Sequence, residues 1–345
     1  MKKNLCRFAR LFPLPLLAAS LLVASCSSDD SNSPNQQPDP EQPASRPIYV
    51  EVSENQIINT AEARQMTRAA ITELSTLEKF KMTANTWTDE YRVKKNNGKW
   101  ILSENNWPIV ADDNTSVTFY AYSADFTDAF DKDSNIGVDF YPNNGDPYIS
   151  FKVEEGVSGQ IDLLVADTAF TFNAHKGKVF LAFNHACAAL DFTIALTANA
   201  AAKGSVVMKS ATLYNVKNKG NFYFNDNEGK GAWKSQTTVI TEPATQVAYT
   251  LESTGEEEGI SLSTTPHRLA CNYIFMIPQT LTAWNKSGAT DGTYIDVVLS
   301  VSGGGGDKTV RFPFPKELKA GEYYPIDIVI GTAAKDTGGY SIFTS

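Results

Sequence analysis

The stretch Val117-Thr118-Phe119-Tyr120-Ala121-Tyr122-Ser123 decides the fold class. Side chains of a strand point alternately to its two faces, so Val117, Phe119 and Ala121 share one side and Thr118, Tyr120 and Tyr122 the other. The same period of two recurs along the chain. Ile48, Val50 and Val52 alternate with Tyr49 and Glu51, and Leu190, Phe192, Ile194 and Leu196 alternate with Asp191, Thr193 and Ala195. Tyr273, Phe275 and Ile277 share a face, as do Ile295, Val297, Leu299 and Val301. Val310, Phe312 and Phe314 repeat the pattern, and Ile326, Ile328 and Ile330 close it. Between Arg92 and Trp100, Asn97-Gly98 is the dipeptide of a tight hairpin turn. Short strands punctuated by turn residues predict an all-β body of sandwich type. Thr60 to Phe80 has scattered apolar positions without a clean stripe, and is expected to be irregular or a short helix.

The N-terminal segment reads as an export signal. Lys2, Lys3, Arg7 and Arg10 precede an apolar run from Leu11 to Val23, too short and too interrupted by prolines for a durable membrane span. It ends in Val23-Ala24-Ser25-Cys26, which has the form of a lipobox. Small residues there fit a signal peptidase pocket, and the Cys26 thiol can take a diacylglycerol. Residues 1–25 are therefore expected to be a lipoprotein signal peptide, with Cys26 as the lipid-attachment site. Residues 26–47 are rich in Ser, Asn, Gln, Pro and Asp and read as a disordered tether. The remaining length, roughly 300 residues, exceeds what one sandwich usually needs. Two domains are expected, 48–199 and 200–345, with the boundary in the small-residue stretch from Thr197 to Ser205.

Composition excludes some functions and leaves little chemistry. The net charge is −9, falling to −13 once the four basic leader residues are gone, and a nucleic-acid binder needs a basic footprint instead. Of four cysteines, Cys6 lies in the leader and Cys26 takes the lipid, which leaves Cys187 and Cys271. Export permits a disulfide between them, but both sit in apolar strand-like surroundings that suit a buried thiol. Gly303 to Gly306 before Asp307-Lys308-Thr309 lacks the strand-to-helix setting of a phosphate loop and reads as a hairpin loop. His175, His185 and His267 have no metal-ligand spacing, so neither metal nor cofactor is expected. His185 and Cys187 share a strand face, yet no neighbour in sequence supplies the orienting carboxylate a thiol nucleophile needs. No enzymatic activity is expected.

An ordered set of segments carries a family resemblance. Thr67-Arg68-Ala69 is followed by Trp107-Pro108, the stretch 117–123, and Gln160-Ile161-Asp162-Leu163-Leu164-Val165-Ala166. Then come Val179 to Ala186 with Phe183-Asn184-His185-Ala186, Ile277-Pro278-Gln279, and Leu318-Lys319-Ala320-Gly321-Glu322-Tyr323-Tyr324. In that order they resemble the fimbrillin family, the type V pilins and their minor-subunit relatives. The resemblance implies two transthyretin-like β-sandwich domains in tandem and a lipoprotein precursor carried to the outer membrane. It also implies cleavage after an arginine by a trypsin-like protease, loss of the N-terminal strand, and filling of the groove by a neighbouring subunit's strand. Ile48, Val50 and Val52 are then the removable strand, and Arg64 or Arg68 the maturation site. Arg46 is followed by Pro47, which disfavours such cleavage.

The expected function is thus that of a stalk, tip or anchor subunit of a cell-surface fimbria, its partners being neighbouring pilus subunits and the outer membrane. The alternative is a surface lipoprotein adhesin that binds a glycan or host protein without polymerising. In that reading Trp87, Trp107, Trp233 and Trp284 could stack on sugars.

Overall fold

The computed structural model describes residues 46–54, 77–103, 106–108, 110–123, 138–141, 147–154, 156, 160–224, 231–239, 249–253, 259–269, 273–284, 292–302 and 306–332. Cys26, Arg64, Arg68 and Cys271 lie outside these residues, as does nearly all of the expected leader, tether and Thr60–Phe80 stretch. Ser45–Ser345 forms one compact unit.

The first part of the chain contributes β1 (Tyr49–Glu54), β2 (Lys79–Ala84), β3 (Tyr91–Asn96), β4 (Lys99–Leu102) and β5 (Val117–Ser123). It continues with β6 (Val138–Tyr141), β7 (Tyr148–Lys152), β8 (Leu164–Phe170), the one-turn α1 (Phe172–His175) and β9 (Lys178–His185). The second part contains β10 (Ala188–Leu196), the short α2 (Ala198–Lys203), β11 (Val206–Tyr214), β12 (Lys217–Tyr223), β13 (Ala232–Val239) and β14 (Tyr249–Ser253). After these come β15 (Ile260–Ser261), β16 (His267–Arg268), β17 (Ile274–Met276), β18 (Gln279–Leu281), β19 (Tyr294–Val301), β20 (Asp307–Pro313), β21 (Lys316–Leu318) and β22 (Tyr323–Ile330). The protein is nearly all β, as the alternation requires. Asn97 and Gly98 both have positive φ, 51° and 75°, and make the β3–β4 hairpin turn that their sequence predicts.

Seven strands close a barrel in the order β1-β4-β3-β2-β5-β8-β9. Its interior is a cluster that includes Phe80, Met82, Val93, Val117, Phe119, Val179, Leu181 and Phe183. A second, larger cluster gathers β7, β10 to β12, β17, β19 and β22, with Ile149, Phe151, Phe192, Met208, Val297 and Ile330 among its members. Strand β5 faces both. Val117, Phe119 and Ala121 pack in the first cluster, and Tyr120 and Tyr122 in the second. Strand β8 does the same, with Leu164 and Ala166 on one side and Val165 on the other. The alternation in 117–123 therefore separates two apolar cores rather than a core from water. From Ala186 onward the clustered buried side chains belong to the second cluster, which also takes Ile149, Phe151 and Val153 from earlier in the chain.

The stretch from Thr197 to Ser205 is not a bare turn. Thr197 caps α2 by accepting from the Ala200 N–H at 3.2 Å, and alanine, the best helix former, fills most of the segment. Ala200 is buried in the second cluster. Cys187 is a free, buried thiol in the same cluster.

Candidate functional site

The first strand is the element around which a site can be built. β1 runs parallel to β9 over six register pairs, from Tyr49↔Lys178 to Glu54↔Phe183. On its other side it meets β4 at a single pair, Val50↔Trp100. Alternation turns Ile48, Val50 and Val52 inward: Ile48 and Val50 are 4% and 7% exposed, and Val52 is half-buried against the same cluster. The three apolar positions read from the sequence thus lie together on the barrel interior. The strand closes the barrel, and its absence would uncover a trough and the edges of β9 and β4.

Residues that the sequence reading passed over, Asp113, Phe172 and Gly177, join Arg46 and Trp107 in seating the beginning of this strand. The Arg46 carbonyl accepts from the Trp107 N–H at 2.6 Å, and Pro47 bridges to Asn106. The Arg46 guanidinium ion-pairs with Asp113 at 2.9 Å and lies 5.6 Å from the Phe172 ring centroid. Trp107 is buried, tilted edge-on against Phe119 and Phe172. Lys176 and Gly177, with φ of 52° and 81°, turn the chain from α1 into β9, and the Gly177 carbonyl accepts from the Tyr49 N–H at 2.9 Å. A side chain at Gly177 would collide with the Pro47 carbonyl. The glycine is thus required both by its left-handed backbone and by the closeness of the first strand. His-Lys-Gly-Lys at 175–178 was the one local signal of this turn.

The expectation that no carboxylate orients His185 is corrected. Asp162 lies 2.7 Å from His185 Nδ1, and both side chains are about as buried as the core itself. The pairing Leu164↔His185 brings the two together. They belong to the segments 160–166 and 183–186, whose partnership is invisible along the sequence. This does not make a nucleophile. Burial, reinforced by the negative charge of Asp162, pushes the Cys187 thiol well above its ordinary range, and a neutral thiol is a poor nucleophile.

Other segments of the ordered set also prove to be clasps. Gln160 donates to the Glu154 carbonyl and accepts from the Phe275 N–H, at 2.9 and 2.7 Å. Gln279 both donates to and accepts from the backbone of Lys217, at 2.8 and 2.9 Å. Each glutamine side chain pairs with backbone groups of a segment distant in sequence, as a strand partner would.

The four tryptophans considered for sugar stacking, Trp87, Trp107, Trp233 and Trp284, do not form an open stacking surface. Trp107 is buried, and Trp87 packs edge-on to Tyr91 and Phe119. Trp233 packs on Phe222 and donates to the Ala186 carbonyl at 2.7 Å, and Trp284 is covered by the Arg311 guanidinium. Among the described residues no cluster of three or more His, Cys, Asp or Glu side chains could hold a metal, and no helix is long and apolar enough to cross a membrane.

A family model described as fimbrillin-like matches residues 60–342. A solved fimbrial protein from Bacteroides vulgatus is similar in fold, with a TM-score of 0.55 at 15% identity, over 83% of this chain and 95% of that one. A candidate cell adhesion protein from Bacteroides ovatus gives a TM-score of 0.45 at 14% identity, over 83% of this chain and 92% of that one. No curated protein matches the sequence.

Proposed function

We propose that this chain, which belongs to the fimbrillin-like family matched over residues 60–342, is a structural subunit of a cell-surface fimbria assembled by strand exchange. Membership implies a place at the cell surface and association with other subunits. In the fuller reading the precursor is exported as a lipoprotein, acylated at Cys26 and held on the outer membrane. A trypsin-like protease cuts after Arg64 or Arg68, between β1 and β2. The first strand leaves, and a neighbour's strand takes its place. The division into two transthyretin-like domains, 48–199 and 200–345, belongs to the same proposal, and the two buried clusters support a two-core body.

The observation that carries the reading is the seat of β1: a parallel ladder on one side, a single pair on the other, and buried Ile48 and Val50. Each fully buried Val or Ile contributes roughly 1.5–3 kcal/mol, enough to hold the strand while it is part of the chain. Cutting makes it a separate molecule, and its effective concentration, about millimolar for a short linker, is lost on dilution. The trough it leaves carries unpaired backbone groups and apolar side chains, both of which a donor strand satisfies. A head-to-tail contact of this kind is heterologous and extends into a fibre.

Incubating purified precursor with a trypsin-like protease tests the reading. Expected are loss of the segment ending at Arg64 or Arg68 and a ladder of oligomers on a native gel. A cleaved chain that stays monomeric at high concentration would reject strand exchange and favour the non-polymerising adhesin.

A further inference from the structure

The sheet β13-β12-β7-β6 turns one face to the second core and the other outward. Alternation on β7 and β12 buries Ile149, Phe151, Asn218 and Phe222, so Tyr148, Ser150, Lys152, Lys219, Asn221 and Tyr223 share the outer face. Register sets them in rows: Tyr148 opposite Tyr223, Ser150 opposite Asn221, and Lys152 opposite Lys219. Lys234 of β13 stands opposite Asn221 and lengthens the middle row. The Tyr148 and Tyr223 rings stack with centroids 4.9 Å apart at 30°, and Lys234 Nζ lies 4.8 Å from the Tyr223 centroid. Tyr223 and Lys219 are four residues apart on one strand, about 13 Å along it, the length of a short oligosaccharide rather than of one ring.

This face is basic on a chain whose net charge is −9. Lys217, Lys219 and Lys234 are exposed, and none of the three pairs with a carboxylate among the described residues. Asp139 is in register with Ser150 on β6, and Glu154 stands two positions after Lys152. Even with both counted against them, the lysines Lys152, Lys217, Lys219 and Lys234 are in excess. The large apolar side chains exposed among the described residues, Tyr49, Ile101, Phe180 and Val329, all lie on other strands. A stable protein interface has an apolar centre and a lipid-binding face has apolar tips, so neither a second copy nor a bilayer fits these rows. Hydroxyl, amide, ammonium and phenol groups laid flat in rows suit a ligand that is itself flat, hydroxylated and negative.

We propose that this face binds an anionic glycan, a carboxylated or sulfated oligosaccharide lying across β7, β12 and β13. Lys219 and Lys234 meet its acid groups as point charges, and Ser150 and Asn221 meet its hydroxyls. Tyr148 and Tyr223, braced in one stack, lose little side-chain entropy when a sugar packs on their solvent-side edges. The site lies on tyrosines, not on the tryptophans that the sequence reading singles out, and it is independent of the exchange of β1.

The test passes the uncleaved precursor over immobilised chondroitin sulfate, dextran and polyglutamate. Dextran offers sugar without charge, and polyglutamate charge without sugar. Retention on chondroitin sulfate should exceed that on either and fall with salt. Lys219→Glu combined with Lys234→Glu should weaken it by roughly tenfold or more. Lys94→Glu combined with Lys99→Glu, exposed on the β3–β4 hairpin, makes the same change in net charge and should leave it near the parent value. All four lysines are exposed, so unchanged thermal midpoints are expected for both pairs. Tyr223→Leu should weaken retention by roughly threefold or more with the salt dependence unchanged. Equal retention on polyglutamate, equal losses in the two lysine pairs, or full retention by either variant of the face overturns the proposal. So does salt-sensitive self-association that Lys219→Glu with Lys234→Glu abolishes in the absence of glycan retention, which would assign the face to a second copy. No cleavage is involved, so failure here and failure of strand exchange give different results.

Discussion

Two strands, β1 and β22, each run parallel to one neighbour in a body whose other described strand pairs are antiparallel, and they are held in different ways. β1 lies along β9, and β22 along β10, which follows β9 after Ala186 and Cys187. β22 has eight register pairs and a set of side-chain ties. Tyr323 donates to Asp191 at 3.1 Å, and Arg268 donates to the same carboxylate at 2.6 Å. Tyr324 donates to Glu322 and accepts from the Lys319 N–H, and Thr193 donates to Asp327 at 2.6 Å. β1 has six pairs, two buried side chains and a half-exposed ion pair. The difference teaches that one parallel strand is built into its core and the other is laid against it.

Matched substitutions should break this symmetry most strongly. Val50→Asp and Ile328→Asp each put a carboxylate where the parent side chain is at most 7% exposed. Each should cost about 4 kcal/mol if the strand stays in place. Val50→Asp should expel β1 alone, changing the emission of Trp100, its neighbour on β4, while the second core melts near the parent temperature. Ile328→Asp should lower the melting of the whole body. Identical melting profiles for the two variants would remove the distinction. Asp191→Ala, which strips Arg268 and Tyr323 of their shared acceptor, should cost about 2–3 kcal/mol by urea denaturation. Gly177→Ala should cost about 1–3 kcal/mol through its positive φ and the Pro47 carbonyl, and should expose β1 to hydrogen exchange before any other strand.

Alkali separates the two strands by a different route. Burial, followed by the hydrogen bond to Glu322, pushes the Tyr324 phenol up to about 12, and burial with Asp191 raises Tyr323 as well. An unfolded tyrosine loses its proton near pH 10, so the folded state holds these protons longer. Their contribution to stability is full below about pH 10 and falls as pH rises through about 12. Thermal midpoints should drop over that window and drop less in Tyr324→Phe. β1 contributes no buried phenol, and its hydrogen-exchange protection relative to the second core should rise there.

The fold class was legible because alternation is local: β5, β10, β19 and the Asn97-Gly98 hairpin lie where the pattern predicts. What alternation does not report is the identity of the second face. Tyr120 and Tyr122 suit water or a core equally well, and both prove to lie in the second cluster, the Tyr120 ring 5.2 Å from that of Phe224. Long-range register is likewise silent in sequence. Nothing near Ile48 indicates a parallel partner at Val179, and nothing near Asp162 names His185. The apolar side of the candidate groove could therefore be read from Ile48, Val50 and Val52. Its fixtures, Trp107, Asp113, Phe172 and Gly177, could not.

The smallest expected effect is the most direct measure of how β1 is held. Glu51 and Lys178 face each other at 3.2 Å across the parallel pair, with side chains 50% and 53% exposed. A pair so wet gains little Coulomb energy, spends side-chain entropy on holding one geometry, and is screened by salt. Glu51→Gln should therefore lower stability by no more than about 0.5 kcal/mol in low salt, and by less as salt is added. If that holds, β1 is retained by Ile48, Val50 and its backbone ladder, and ionic strength alone will not release it. Urea midpoints of parent and variant at two salt concentrations decide the matter. A loss above about 1 kcal/mol that disappears in salt would make the ion pair a clasp comparable to the Asp191 ties, beyond the usual range for exposed pairs. β1 would then be a strand locked by charge, and the contrast with β22 would have to be drawn from the β4 side alone, where Val50↔Trp100 is the single register pair.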